Sequence, residues 1–217
     1  KIGYGSHVVH NNGGNFYSRA NAFSMMGFDS FTSKELMDIK EYTPLGSWPT
    51  DDILIDETIK SLDSTKNTPD FVYTITVSGH GDYPKEKVLT APEIYVSGAE
   101  DEASNNQWEY YVNMLHNVDK FIGDLTDALE KRGEKTIVVF FGDHLPSLNL
   151  SDEDMASGNI FLTKYATWNN FGLEKKDADL AAYELLAKTT NDLGIHEGTI
   201  FTYEQNSIDK GLLDSED

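Results

Sequence analysis

The sequence contains no cysteine, which excludes a disulfide framework, thiolate zinc sites and a thiol nucleophile together. It is also poor in cations: 17 Lys and Arg stand against 37 Asp and Glu, a formal net charge of −20. Nucleic-acid binding rests on clustered Lys and Arg against phosphates, so no nucleic-acid partner is expected. No apolar run approaches the roughly 18 residues that a membrane span needs. Internal repeats and low-complexity linkers are likewise missing. What is present is enough apolar material, 39% hydrophobic with 12% aromatic, to take the chain out of the disordered class. At 217 residues it holds one domain's worth of sequence. It opens at Lys1-Ile2-Gly3-Tyr4, without Met and in what reads as mid-strand, which suggests a piece of a longer chain. The expected organisation is one domain over 1–207 and an acidic tail over 208–217.

Local patterns alternate between strand and helix. Ile2 to Val9 reads as a strand, and Asn15 to Met26 as a helix stopped by Gly27. Thr50 suits an N-cap, with Asp51 and Asp52 at the positive end of a helix running to about Ser61. Phe71 to Ser78 is rich in β-branched and aromatic residues and reads as a second strand. Between Ser104 and Arg132, Trp108, Tyr111, Leu115, Val118, Ile122, Leu125 and Leu129 recur at alternating spacings of three and four. That pattern predicts a long amphipathic helix whose stripe is core, with Gly133 as its stop. The run Thr136 to Phe141 reads as a strand buried on both faces of a parallel sheet. Ile160 to Ala166 is a weaker strand and Asp177 to Leu193 a final helix, while Glu102 to Glu109 and Asp214 to Asp217 read as solvated acidic surface. The class expected is α/β, a mostly parallel central sheet flanked by helices.

Open α/β sheets bind ligands beyond the carboxyl ends of their strands. His10 follows the first strand, His80 the second, and Asp143-His144 the run TIVVFF. In Phe141-Gly142-Asp143-His144-Leu145-Pro146, one oxygen and one nitrogen donor stand side by side, a set suited to manganese or zinc. The alternative is that Asp143 caps a turn and His144 is a surface histidine. The stretch His10-Asn11-Asn12-Gly13-Gly14-Asn15-Phe16-Tyr17-Ser18-Arg19 offers an open loop into a helix start, an anion-attracting arrangement. Arg19 could grip a phosphate or sulfate with its fork, His10 could donate to it, and Tyr17 could wall the pocket. A flexible glycine loop with a core aromatic pair and a solvated arginine is the alternative there. His80, between Gly79 and Gly81, either approaches a ligand closely or sits in a turn.

These three pieces, HNNGGNFYSR, TVSGH and FFGDHLPS, resemble the lipoteichoic acid synthase group of the sulfatase-like branch of the alkaline phosphatase superfamily. The resemblance runs to about Leu193. It implies an alkaline-phosphatase/sulfatase-like fold, in which Asp143 and His144 match the pair that ligates a manganese-type divalent ion. His10, Arg19 and the aromatic position held by Tyr17 match the pocket for a glycerol phosphate head group. Asn12 stands where the family commonly has an acid, and Tyr17 where it often has Trp. His80 matches a histidine near the scissile phosphate, and Ser147 lies one position out of register with a head-group serine. The family's remaining acidic ligand and its threonine nucleophile lie upstream of the HNNGG loop. Of the nine residues before His10 none is Thr, Asp or Glu, and Ser6 is misplaced. The chain is therefore expected to be an N-terminally truncated catalytic domain, inactive alone and binding metal weakly.

The resemblance further implies a phosphoglycerol transferase that moves glycerol phosphate from phosphatidylglycerol to an acceptor polymer. It would be tethered to the membrane by upstream segments, on the extracellular face of a Gram-positive type cell. A sulfatase or phosphodiesterase on the same scaffold is the nearest rival. A non-catalytic module binding an anionic polymer is the rival from another class.

Overall fold

The structure is a computed structural model that describes residues 2–210, with side chains through Ile208. Residues 3–173 form one compact unit, and residues from Glu174 onward belong to a second. In the first unit β1 (Gly5–His10) lies at the centre of a parallel three-stranded sheet, between β2 (Ser30–Ser33) and β3 (Asp70–Ile75). Its two faces are covered by different helices. Val8 is paired with Phe31 and Tyr73, and the Phe23 ring of α1 (Arg19–Met26) meets both aromatics edge-on. On the other face, Val9 joins Leu54 of α2 (Ile53–Ser64) and Phe121, Leu125 and Leu129 of α3 (Glu102–Arg132) in the buried core. Burial of each such side chain stabilises the fold by about 1.5–3 kcal/mol. The α/β architecture with a parallel sheet between helices is thus the one the strand and helix periodicities indicate.

Several boundaries differ from expectation. The first helix begins at Arg19, not Asn15, because Tyr17 and Ser18 both take left-handed backbone at φ 53°. Gly27, at φ 90°, closes it as expected. The second helix is capped at Asp52 without a side-chain bond, not at Thr50, and extends to Ser64. The long helix starts where Asp101 accepts from the Ser104 amide at 2.7 Å, and ends at Gly133 with left-handed backbone. Its apolar stripe follows the predicted one at Ile122, Leu125 and Leu129 and departs from it in the first half of the helix. Tyr110 and Met114 are buried while Leu115 is 48% exposed. The cause is polar: Asn113 accepts from the amides of Glu93 and Ile94, and Glu109 accepts from Val96, so one buried strip holds the 93–96 segment. Glu109 is therefore not solvated surface.

The run TIVVFF is a strand, β4 (Ile137–Phe141), but half-buried and paired antiparallel with β5 (Tyr165–Asn169). It is thus not doubly buried in a parallel sheet. Its Val138 and Phe140, with Trp168 of β5, pack on the same helical core as Val72 of β3. The weak strand lies at 165–169 instead of 160–166. In the second unit the expected helix over Asp177–Leu193 shrinks to a short turn, Ala182–Glu184, and α4 (Leu185–Asp192). The chain continues into α5 (Thr199–Lys210). The acidic residues Asp214 to Asp217 lie outside the described residues.

Candidate functional site

Each candidate residue of the first unit is placed by a strand tip or by the loop that leaves it. His10 ends β1 and is 2% exposed. Its Nδ1 lies 2.8 Å from the Ile75 carbonyl at the end of β3. A carbonyl only accepts, so Nδ1 carries the hydrogen and, in the neutral ring, Nε2 holds the lone pair. That Nε2 is buried without a protein partner. Burial lowers the His10 pKa below its ordinary 6.5, outweighing the carbonyl bond, and the charge of Arg19 lowers it further.

The same device recurs at the other two imidazoles. His80 Nδ1 is 2.7 Å from the Gly81 carbonyl, and His144 Nδ1 is 2.9 Å from the Leu145 carbonyl. In the neutral form of both rings Nε2 therefore holds the lone pair, the nitrogen that can take a ligand or a proton. The two meet edge-on with ring centroids 6.2 Å apart. Asp143 lies beside them, its Oδ2 3.7 Å from His144 Nε2. Burial of the Tyr73 hydroxyl on β3 raises its pKa, and the charge of Asp143 adds to that. Ser147 reaches the same place, its Oγ standing 3.5 Å from where a Gly81 side chain would begin.

The loop after β1 is built to stay open. Asn12 accepts from the Gly13 amide at 2.7 Å, which folds its side chain onto the loop. Gly14 permits close packing: a methyl there would stand 2.9 Å from Ser33 Oγ. The Gly14 amide instead donates to Glu35, whose carboxylate also accepts from Ser33 Oγ at 2.6 Å. That hydroxyl bond is the main reason the Glu35 pKa is lowered. Arg19 donates to the Gly13 carbonyl at 3.3 Å and lies over the rings of Phe16 and Tyr17, at 5.2 and 5.5 Å. These aromatic faces hold the guanidinium without neutralising it. Tyr17 itself is 82% exposed, so it stands at the rim.

Asp143 and His144 are exposed at 79% and 63% and offer one oxygen and one nitrogen, with the imidazole tautomer already set. That donor chemistry fits one side of a divalent-ion site. No group of three or more His, Asp or Glu able to hold a metal occurs among the described residues. The turn-cap alternative coexists with this, since Asp143 Oδ1 also accepts from the His144 amide at 2.9 Å.

The remaining histidines stand elsewhere: His7 at the opposite end of β1, His116 against Glu93 on α3, and His196 against Gln205 in the second unit. Three residues near the site escaped the sequence reading, Glu35, Trp48 and Asp51, while Asn11 was read only as part of the open loop. Trp48 donates from Nε1 to the carbonyls of His80 and Gly81, and its ring meets that of His80 at 5.3 Å. No local pattern marks these residues; the one hint was Asp51, read as a helix-end charge.

Comparison with known proteins agrees with this fold. A putative cyclic β-1,2-glucan modification protein of Rhizobium meliloti is 33% identical over 147 residues, covering 68% of this chain and 22% of that protein. Among solved structures, the Streptococcus pyogenes phosphoglycerol transferase GacH in complex with sn-glycerol-1-phosphate superposes with a TM-score of 0.75 at 22% identity. It covers 96% of this chain and 55% of that one. The Listeria monocytogenes lipoteichoic acid synthase LtaP gives 0.60 at 22% identity, over 76% of this chain and 43% of the other. The chain thus spans about a fifth of the curated relative and about half of these structures. The α/β fold is shared with GacH and LtaP, and the sulfatase family profile matches residues 1–185, so the chain belongs to the sulfatase family.

Proposed function

We propose that this chain supplies the glycerol-phosphate-binding part of a phosphoglycerol transferase of the lipoteichoic acid synthase type. The observation that carries this reading is His10: a buried imidazole whose Nε2 has no protein partner, in the field of an unneutralised arginine. The held guanidinium suits the phosphate oxygens, and the Nε2 lone pair of a neutral His10 suits a donating hydroxyl of the glycerol, so the two together suit a glycerol phosphate. Arg19 would orient the anion and Tyr17 would flank the glycerol. His80, once it has taken a proton on Nε2, would give that proton to the leaving oxygen. Asp143 and His144 would hold a divalent ion, manganese by resemblance, which when bound lowers the pKa of a hydroxyl nucleophile and neutralises phosphoryl charge. The threonine nucleophile and further ligands would come from outside these residues.

In the whole protein the donor would be phosphatidylglycerol and the acceptor a glycerol phosphate polymer, at the outer face of a membrane reached through other segments. No helix among the described residues is long and apolar enough to cross a membrane itself. A second reading, favoured by the name of the Rhizobium relative, is that the acceptor is a glucan. The test is a panel on the full-length protein with phosphatidylglycerol, a glycerol phosphate polymer, a β-glucan and an aryl sulfate. Diacylglycerol release with phosphoglycerol on the polymer is expected. Turnover of aryl sulfate alone would replace this reading with sulfate-ester hydrolysis, and transfer to glucan would select the second.

A further inference from the structure

Asp51 stands just before α2, yet its carboxylate turns towards the tips of β1 and β3. It is 4% exposed. One oxygen accepts from the Asn11 side-chain amide at 2.9 Å and from the Val77 amide at 2.8 Å, and the Ser78 amide donates to both oxygens at 3.3 and 3.1 Å. Among the described residues no Lys, Arg or His pairs with it. Three donors from two separate loops therefore converge on one buried anion. Asn11 adjoins His10, and Ser78 lies two residues before His80.

The neighbours of Asp51 grip the same two loops. The Pro49 carbonyl accepts from both Asn11 and the Ser78 hydroxyl, and the Thr50 carbonyl accepts from Asn11 again. Trp48 completes the set by donating to the carbonyls of His80 and Gly81. Four consecutive residues thus bond to the loop after β1 and to the loop after β3. Desolvation raises the Asp51 pKa, and its bonds only partly offset this, so the buried charge is a burden on the fold. A feature unfavourable to stability yet bonded on every side calls for a reason other than stability.

We propose that Asp51 is a positioning residue that ties the His10 loop to the His80 loop, with Trp48 fixing the second loop at its far end. A carboxylate is required because every partner donates; an amide would point its own N–H at one of the three. This rests on the proposed glycerol phosphate pocket only for what the two histidines bind, not for the tie itself.

Asp51→Asn is the direct test on this chain, read by imidazole nitrogen NMR, thermal unfolding and calorimetry with sn-glycerol-1-phosphate. The His10 and His80 ring signals should both move while that of His116 on α3 stays, and affinity should fall about tenfold, since small misplacements of binding groups cost this much. Movement of neither ring, or of only one, overturns the tie. Should the variant fail to fold, Trp48→Phe decides: the lost donor should shift His80 and leave His10, and an unmoved His80 overturns the proposal. Absence of glycerol phosphate binding by the unaltered chain would instead strike the function proposed above, with the paired ring shifts still reporting on the tie.

Discussion

Two histidines three residues apart on β1 have been put to opposite uses. Both are buried, His7 at 4% and His10 at 2% exposure, and both leave Nε2 without a hydrogen bond. Strand alternation sends them to opposite faces of the sheet. His7, at the amino end, lies between the side chains of its neighbours: Nδ1 is 2.7 Å from Ser30 Oγ on β2, and Nε2 is 3.4 Å from Asp70 Oδ1 on β3. Asp70 is held in turn by the Thr65 hydroxyl. His10, at the carboxyl end, spends one nitrogen on a backbone carbonyl and has only the charge of Arg19 near it. The first imidazole fastens three strands, and the second, in the function proposed above, is held ready for a guest. Burial alone does not separate a structural histidine from a functional one; what surrounds the second nitrogen does.

The largest effect that sharpens this contrast is Arg19→Ala. Loss of a charge-assisted, two-pronged contact should weaken glycerol phosphate binding about a hundredfold in calorimetry. The melting temperature should hold, because the side chain makes one long bond to Gly13. Retained affinity would show that the cation beside His10 has no guest.

Next comes the histidine pair itself. His7→Ala should cost about 2 kcal/mol in chemical unfolding, because Ser30 on β2 loses its bond and the buried Asp70 carboxylate on β3 loses its neighbour, and should leave binding unchanged. His10→Asn keeps a donor for the Ile75 carbonyl while deleting Nε2. It should lower affinity about tenfold with stability close to unaltered. A reversal of these two outcomes would reverse the assignment of the histidines.

A smaller effect follows from pH. With its folded pKa below 6.5, His10 takes up a proton less readily in the folded chain than in the unfolded one. Its contribution to stability is therefore complete above 6.5 and is lost as pH falls through and below that value, at no more than about 1.4 kcal/mol per pH unit. His10→Asn should flatten that limb of the stability profile, and an unchanged profile would place the titration elsewhere. The smallest effect is Tyr17→Gly, which relieves a left-handed residue and should raise stability by about 0.5 kcal/mol. It should also remove one ring from beneath Arg19.

That His10, His80 and Asp143-His144 each follow a strand was legible, because strands declare their ends in β-branched runs; that the rings of His80 and His144 meet was shown only by the structure. The α3 helix was legible nearly in full, since its apolar spacing and Gly133 are local signals, whereas the Asp101 cap was missed. Its buried face was legible only in the second half, because in the first half Glu109 and Asn113 are buried by bonds to a segment 13 to 20 residues away. The pairing of β4 was hidden for a similar reason: an apolar run records that a strand is covered, not which neighbour covers it. Asp51 looked like a helix-end charge since its true partners lie 26 and 40 residues distant. Local chemistry was readable and long-range polar pairing was not.

The central claim is that strand tips far apart in sequence share one phosphate-bearing guest. Titrating the chain with sn-glycerol-1-phosphate while recording all six imidazole ring signals tests it most directly. The account predicts saturable shifts at His10 and His80 with one common dissociation constant, and silence at His7, His116 and His196. Shifts confined to His7 or to the second unit, or differing constants for His10 and His80, would contradict it.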